Sequence, residues 1–119
     1  MTRIRLTLAG VAAVALVAVA PLGAAPSATK LTGTVGPGFT ISLKKGTTKV
    51  TKLKPGAYTI TVNDKSSIHN FHLTGAGVNV KTSVSATGTK TFTVTLKKGT
   101  YRFVCDPHAS SMKGSFKVS

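Results

Sequence analysis

Four stretches of this chain alternate apolar and polar residues with a period of two: FTISL at 39–43, AYTITV at 57–62, TFTVTL at 91–96 and TYRFVC at 100–105. That period places successive side chains on opposite faces of an extended strand, one buried and one solvated. The inward set is then Phe39, Ile41, Leu43, Tyr58, Ile60, Val62, Phe92, Val94, Leu96, Tyr101, Phe103 and Cys105. Threonine fills most outward positions, as strand propensity favours. Turn residues punctuate the runs: KKG at 44–46, KPG at 54–56, GAG at 75–77 and KKG at 97–99. No helical stripe occurs beyond residue 30, and GPG at 36–38 would break one. The expectation is an all-β chain, an antiparallel β-sandwich. Residues 75–90 are poor in large apolar side chains and read as a crossover or loop between the sheets. LKPGAYTITV at 53–62 echoes LKKGTYRFVC at 96–105, two similar local solutions and no tandem repeat.

The first 28 residues read differently. Arg3 and Arg5 precede an apolar run from Leu6 to Ala20, and PLGAAPSA follows. Basic, apolar, then small is the order of a secretory signal. The run of 15 is short for a membrane span, which needs about 20 residues. The expected division is a signal peptide over 1–25, cleaved after Ala25 or Ala28, and one domain over 31–119. A retained N-terminal anchor is the alternative. Export makes the lone cysteine informative, since Cys105 has no partner for an internal disulfide. It is a free thiol, an intermolecular bridge or a metal ligand.

Sixteen Lys and Arg face two acids, Asp64 and Asp106, and losing Arg3 and Arg5 with the leader takes the formal charge from +14 to +12. Two distant aspartates exclude a glycosidase carboxylate pair and an oxygen-rich calcium cage. The positive field would draw an acidic protein or an anionic membrane surface; export argues against nucleic acid. The bland alternative is that the lysines are simply solvated strand faces and turns.

The segment CDPHASSM places Cys105, His108 and Met112 at C-x2-H-x3-M spacing. Cys105 points inward by parity with Tyr101 and Phe103. Pro107 ends the strand ladder, so the chain turns and can carry His108 and Met112 back toward the sulfur. In SSIHNFHL at 66–73, His69 shares a strand face with Phe71 and Leu73, whereas His72 has the opposite parity and is expected not to bind metal. A thiolate, two imidazoles and a weak axial thioether suit copper cycling between Cu(I) and Cu(II).

CDPHASSM resembles the ligand loop of plastocyanin-, amicyanin- and pseudoazurin-like cupredoxins, type 1 blue copper proteins in which C-x-P-H is followed shortly by methionine. HNFHL is similar to the family's first ligand strand, and GTYRFVC to its approach to the cysteine. The resemblance implies a Greek-key sandwich binding one copper ion through His69, Cys105, His108 and Met112. It also implies that Asn70 ties the two ligand loops by hydrogen bonding. Three residues separate His108 from Met112, between the two of amicyanin-like and the four of plastocyanin-like loops. Asp106 puts a carboxylate where the family commonly has an uncharged residue, which favours Cu(II).

The expected function is an exported, monomeric electron carrier, not an enzyme, serving a redox partner of acidic surface. The alternative is a periplasmic or extracellular copper store or delivery protein, against which the single methionine of the mature chain counts. A Cys-His thiol hydrolase would need an oxyanion site and a substrate pocket that nothing in the chain supplies.

Overall fold

The computed structural model describes Gly10 and residues 27–119. The signal peptide expected over 1–25 therefore lies, Gly10 apart, outside the described residues. Among those residues no helix is long and apolar enough to cross a membrane.

Among the described residues, ten strands form two sheets. The first holds β1 (Thr29–Val35), β2 (Ile41–Lys45), β3 (Thr48–Lys49), β5 (Gly56–Asp64) and β8 (Gly88–Leu96), in the order β3-β2-β1-β5-β8. The second holds β4 (Lys52–Leu53), β6 (His72–Gly75), β7 (Val78–Lys81), β9 (Gly99–Val104) and β10 (Lys113–Val118), in the order β4-β10-β9-β6-β7. Most neighbours are antiparallel, but β1 runs parallel to β5 and β10 parallel to β4. Alternation cannot announce that detail, because a strand's period is the same in either pairing.

The core lies between the sheets. Leu31, Val35, Leu43, Ile60, Val62 and Leu96 fill it from one side; Leu73, Tyr101, Phe103, Phe116 and Val118 fill it from the other. Phe71 stacks on Phe103 with ring centroids 5.5 Å apart, and Tyr101 on Phe116 at 5.3 Å. Gly114, paired across from Phe103, has no Cβ because the Phe103 ring occupies that space.

The repeated motif has a physical counterpart. Tyr58 donates its hydroxyl to the Lys54 carbonyl at 2.6 Å, and Tyr101 donates to the Lys97 carbonyl at 2.9 Å. Each tyrosine reaches back four residues across its lysine-glycine turn and fixes the entry of its strand, β5 or β9. Those strands lie in different sheets, and both run toward the same end of the sandwich.

Three expectations need correction. Phe39 is not inward: it precedes β2 and is 64% exposed. The alternation there starts in the loop after GPG, where no ladder imposes a side. Residues 75–90 are not one crossover, since β7 pairs with β6 as a hairpin and β8 starts at Gly88. Both are outer strands of their sheets, where a strand need not carry large apolar residues. His69 belongs to no strand; it lies in the loop between β5 and β6.

Candidate metal centre

Two loops meet at one end of the sandwich. The β9–β10 loop is stitched by its own backbone. The Cys105 amide donates to the Met112 carbonyl at 3.0 Å, closing the base of the loop. The His108 amide donates to the Cys105 carbonyl at 3.0 Å, and the Met112 amide to the His108 carbonyl at 2.8 Å. Asp106–His108 forms a single 3-10 turn with Pro107 inside its start, where a missing amide hydrogen costs nothing. A few local bonds thus bring residues 105, 108 and 112 around one short loop. Cys105 and Met112 are buried and His108 is half-buried.

The β5–β6 loop is held from below. Asp64 Oδ1 accepts from the Ser66 amide at 2.9 Å, and Ser66 Oγ accepts from the Ile68 amide at 3.2 Å. Phe71 and Thr82 exchange two bonds of 2.9 Å, the Phe71 amide to Thr82 Oγ1 and the Thr82 amide to the Phe71 carbonyl. His69 is thereby held with no exposed surface.

Asn70 joins the loops. Its Oδ1 accepts from the Asp106 amide at 2.7 Å, and its Nδ2 donates to Asp106 Oδ2 at 2.8 Å and to the Thr82 carbonyl at 3.2 Å. Both polar atoms of its side chain are used, so the buried amide incurs little desolvation penalty.

This arrangement brings His69 Nδ1, His108 Nδ1 and Cys105 Sγ together. The two nitrogens are 3.1 Å apart, and the sulfur is 3.7 Å from His69 Nδ1 and 3.5 Å from His108 Nδ1. Three lone-pair donors aimed at a common point repel unless protons or a cation lie between them. Metal bonds of about 2.0 Å to imidazole nitrogen and about 2.3 Å to thiolate would span these separations at angles of about 100–120°. The donor set fits one metal ion, and two nitrogens with a thiolate are the soft, mixed set that copper prefers in electron-transfer sites. Met112 is fully buried at the loop's end.

Phe39 is the residue that sequence reasoning misplaced and the site uses. Its ring meets the imidazoles of His69 and His108 edge-on, with centroids 5.0 Å away in both cases. It forms an exposed apolar cover over the two rings, and Ile68, 53% exposed, is the other large apolar side chain at the surface among the described residues. The GPG before Phe39 was the available signal that the chain was still in a loop there.

The two acids are perturbed in opposite directions. Burial pushes the Asp64 carboxyl above its usual range, only partly offset by the Ser66 amide and the positive field of His69. Asp106 also feels burial, but hydrogen bonds from His72 and Asn70, with the charges of His72 and Lys81, outweigh it and hold the carboxyl low.

Comparison with known proteins agrees with this geometry. Residues 40–119 match the family of copper binding proteins, plastocyanin/azurin family. The chain belongs to that family, and its cofactor is copper. Among solved structures, a variant of rusticyanin superposes with a TM-score of 0.58 at 23% identity, covering 78% of this chain and 80% of that one. Reduced rusticyanin gives 0.55 at 24%, covering 78% and 81%. Rusticyanin from Thiobacillus ferrooxidans gives 0.54 at 25%, covering 78% and 79%. No curated protein matches the sequence.

Proposed function

We propose that this protein is an exported, mononuclear type 1 copper protein that carries single electrons between redox partners, with His69, Cys105, His108 and Met112 as the residues that would hold the copper. The observation that carries the reading is the convergence of two Nδ1 atoms and one thiolate in a chain of the plastocyanin/azurin family. Copper supplies the one-electron couple when bound.

The protein's own residues account for the rest. The closed β9–β10 loop and the Asn70 clamp fix the donors, so little has to move when the charge at the site changes. Burial of His69, Cys105 and Met112 excludes water. His108 reaches the surface beside Phe39, which provides a short apolar route for an electron. A groove of about 740 Å³ between β2–β3 and β9–β10 is lined by Lys44, Lys49, Arg102 and Lys113, with no acid among its residues. It supports an acidic partner. The basic-apolar-small leader supports export, and membership of the plastocyanin/azurin family supports an electron carrier.

Adding Cu(II) to the purified apo-protein should give one equivalent of binding and an intense visible absorption from thiolate-to-copper charge transfer. Cys105→Ser should abolish the colour. A colourless one-to-one complex would remove the type 1 assignment. Repeated chemical reduction and reoxidation should leave the copper in place; loss of metal at each cycle would instead indicate copper delivery.

A further inference from the structure

His72 lies outside the proposed ligand set yet is bonded to the residue beside the thiolate. Its Nδ1 faces Asp106 Oδ1 at 2.8 Å and its Nε2 faces Asn79 Oδ1 at 2.7 Å. Both partners are oxygen acceptors. A neutral imidazole has one N–H, so only the doubly protonated ring satisfies both contacts. Asp106 in turn holds Asn70 through Oδ2 and through its own amide. A continuous chain, Asn79–His72–Asp106–Asn70, therefore runs from β7 to the clamp between the ligand loops.

The surroundings of His72 are simple. From the turn comes the carboxylate of Asp106. From β7 come Asn79 and Lys81, the latter paired directly across from His72. From β9 comes Val104, paired across from it, with Arg102 opposite Thr74 two residues along. Burial and Lys81 disfavour the imidazolium; the hydrogen bonds to Asp106 and Asn79 and the charge of Asp106 outweigh them and hold the ring above its ordinary value.

We propose that His72 is a positioning residue, a proton-carrying counterion to Asp106, through which the redox equilibrium of the metal centre is coupled to pH. The inference rests on the electron-carrier reading above. In the coupled range, one electron arriving from the redox partner is accompanied by uptake of up to one proton from water at His72, and reoxidation returns both. Reduction lowers the positive charge of the site by one, so the imidazolium is easier to hold in the reduced state. When the ring is neutral it keeps its proton on Nδ1 and donates it to the Asp106 carboxylate. Its Nε2 then needs a donor, which the Asn79 amide supplies by turning its Nδ2 inward. Linkage requires the effect to be reciprocal: the metal's charge moves the His72 midpoint by the factor by which His72 moves the redox equilibrium.

Two measurements test this together. The reduction potential of the copper protein is followed against pH for the wild type and for His72→Gln. The His72 ring protons are followed by NMR in Cu(I)-loaded and Zn(II)-loaded protein, the zinc dication standing in for the oxidised charge. The wild-type equilibrium should shift toward the oxidised form by about threefold to tenfold as pH rises through the His72 midpoint. That is about 30–60 mV at 59 mV per tenfold. His72→Gln should lack this step while keeping the visible band. The His72 midpoint should be lower in the zinc form by the same factor, and Asn79→Leu should move the step to lower pH. Parallel potential curves for wild type and His72→Gln, or one midpoint in both metal forms, overturn the coupling and leave the carrier reading intact. A wild type that takes up copper without the visible band overturns both.

Discussion

The chain has two carboxylates, and each anchors one of the loops that form the metal centre, but they are held in opposite ways. Asp64 closes β5 from inside: it is buried, one oxygen is bonded to the Ser66 amide, and Oδ2 has no partner. Asp106 follows β9 on the outside: it is exposed, and both oxygens are bonded, to His72 and Asn70. The inner loop is built on a carboxylate that its surroundings would sooner protonate, the outer loop on one that its surroundings keep ionised. His69 on the inner loop is sealed, whereas His108 on the outer loop meets solvent. The difference teaches that the inner loop adds a sealed, stacked interior to its polar bonds whereas the outer loop rests on polar bonding at the surface, so they should fail under different perturbations.

The largest effect should come from the packing of the inner loop. Phe71 has no exposed surface and stacks on Phe103. Phe71→Ala should cost about 3–5 kcal/mol in denaturant unfolding of the apo-protein. A loss below about 1 kcal/mol would show that polar bonds, not packing, hold the inner loop.

Next is the buried carboxylate. Asp64→Asn retains an acceptor for the Ser66 amide and removes a buried charge, so the apo-protein should gain about 1 kcal/mol at neutral pH. The sign of its pH dependence follows from the raised folded value. As pH falls through that value, wild-type Asp64 takes a proton and the advantage of the variant shrinks, vanishing below the ordinary 3.8. Urea unfolding at several pH values should show the two curves converging in acid. A constant offset would mean that Asp64 is not titrating in the folded state.

The outer pair should matter less, by about 0.2–1 kcal/mol, because water screens it. Asp106, held low, contributes stability that is present above 3.8 and lost as pH falls through its folded value. His72, held high, contributes stability that is full below 6.5 and lost as pH rises through its folded value. The deficit of Asp106→Asn relative to wild type should therefore be greatest between these two ordinary values. A deficit that keeps growing above neutral pH would contradict the ion pair. In the copper protein the same substitution should raise the reduction potential by removing a negative charge near the thiolate.

Phe39→Ala should produce the smallest change in stability, below about 0.5 kcal/mol for an exposed ring. It should nonetheless speed quenching or reduction of the centre by small water-soluble reagents, since the cover over both imidazoles is gone. An unchanged rate would leave Phe39 without a role at the site.

Much of this molecule follows from local pattern. Strands β5, β8 and β9 match their alternating runs because a period of two is imposed by each strand's own backbone. The loop from Cys105 to Met112 was legible for a similar reason: its closing bonds span seven residues or fewer, and Pro107 ends the ladder from within. Even the tyrosine bonds that start β5 and β9 are contained in their repeated motifs. What alternation could not decide is where a run begins outside a sheet, as Phe39 shows, or whether neighbouring strands run parallel, as β1 and β5 do.

The sequence alone thus determined the sandwich class and the chemistry available at its one cysteine, since both depend on residues close together along the chain. Only the tertiary structure decided that Nδ1 of each imidazole faces the sulfur, that Asp64 is buried while Asp106 is paired, and that Asn70 and His72 grip the residue after the thiolate. Apart from His108 and Cys105, three positions apart, those contacts join residues 34 to 39 positions apart. No local period encodes such separations; they arise when two sheets stack and their end loops are pressed onto one point.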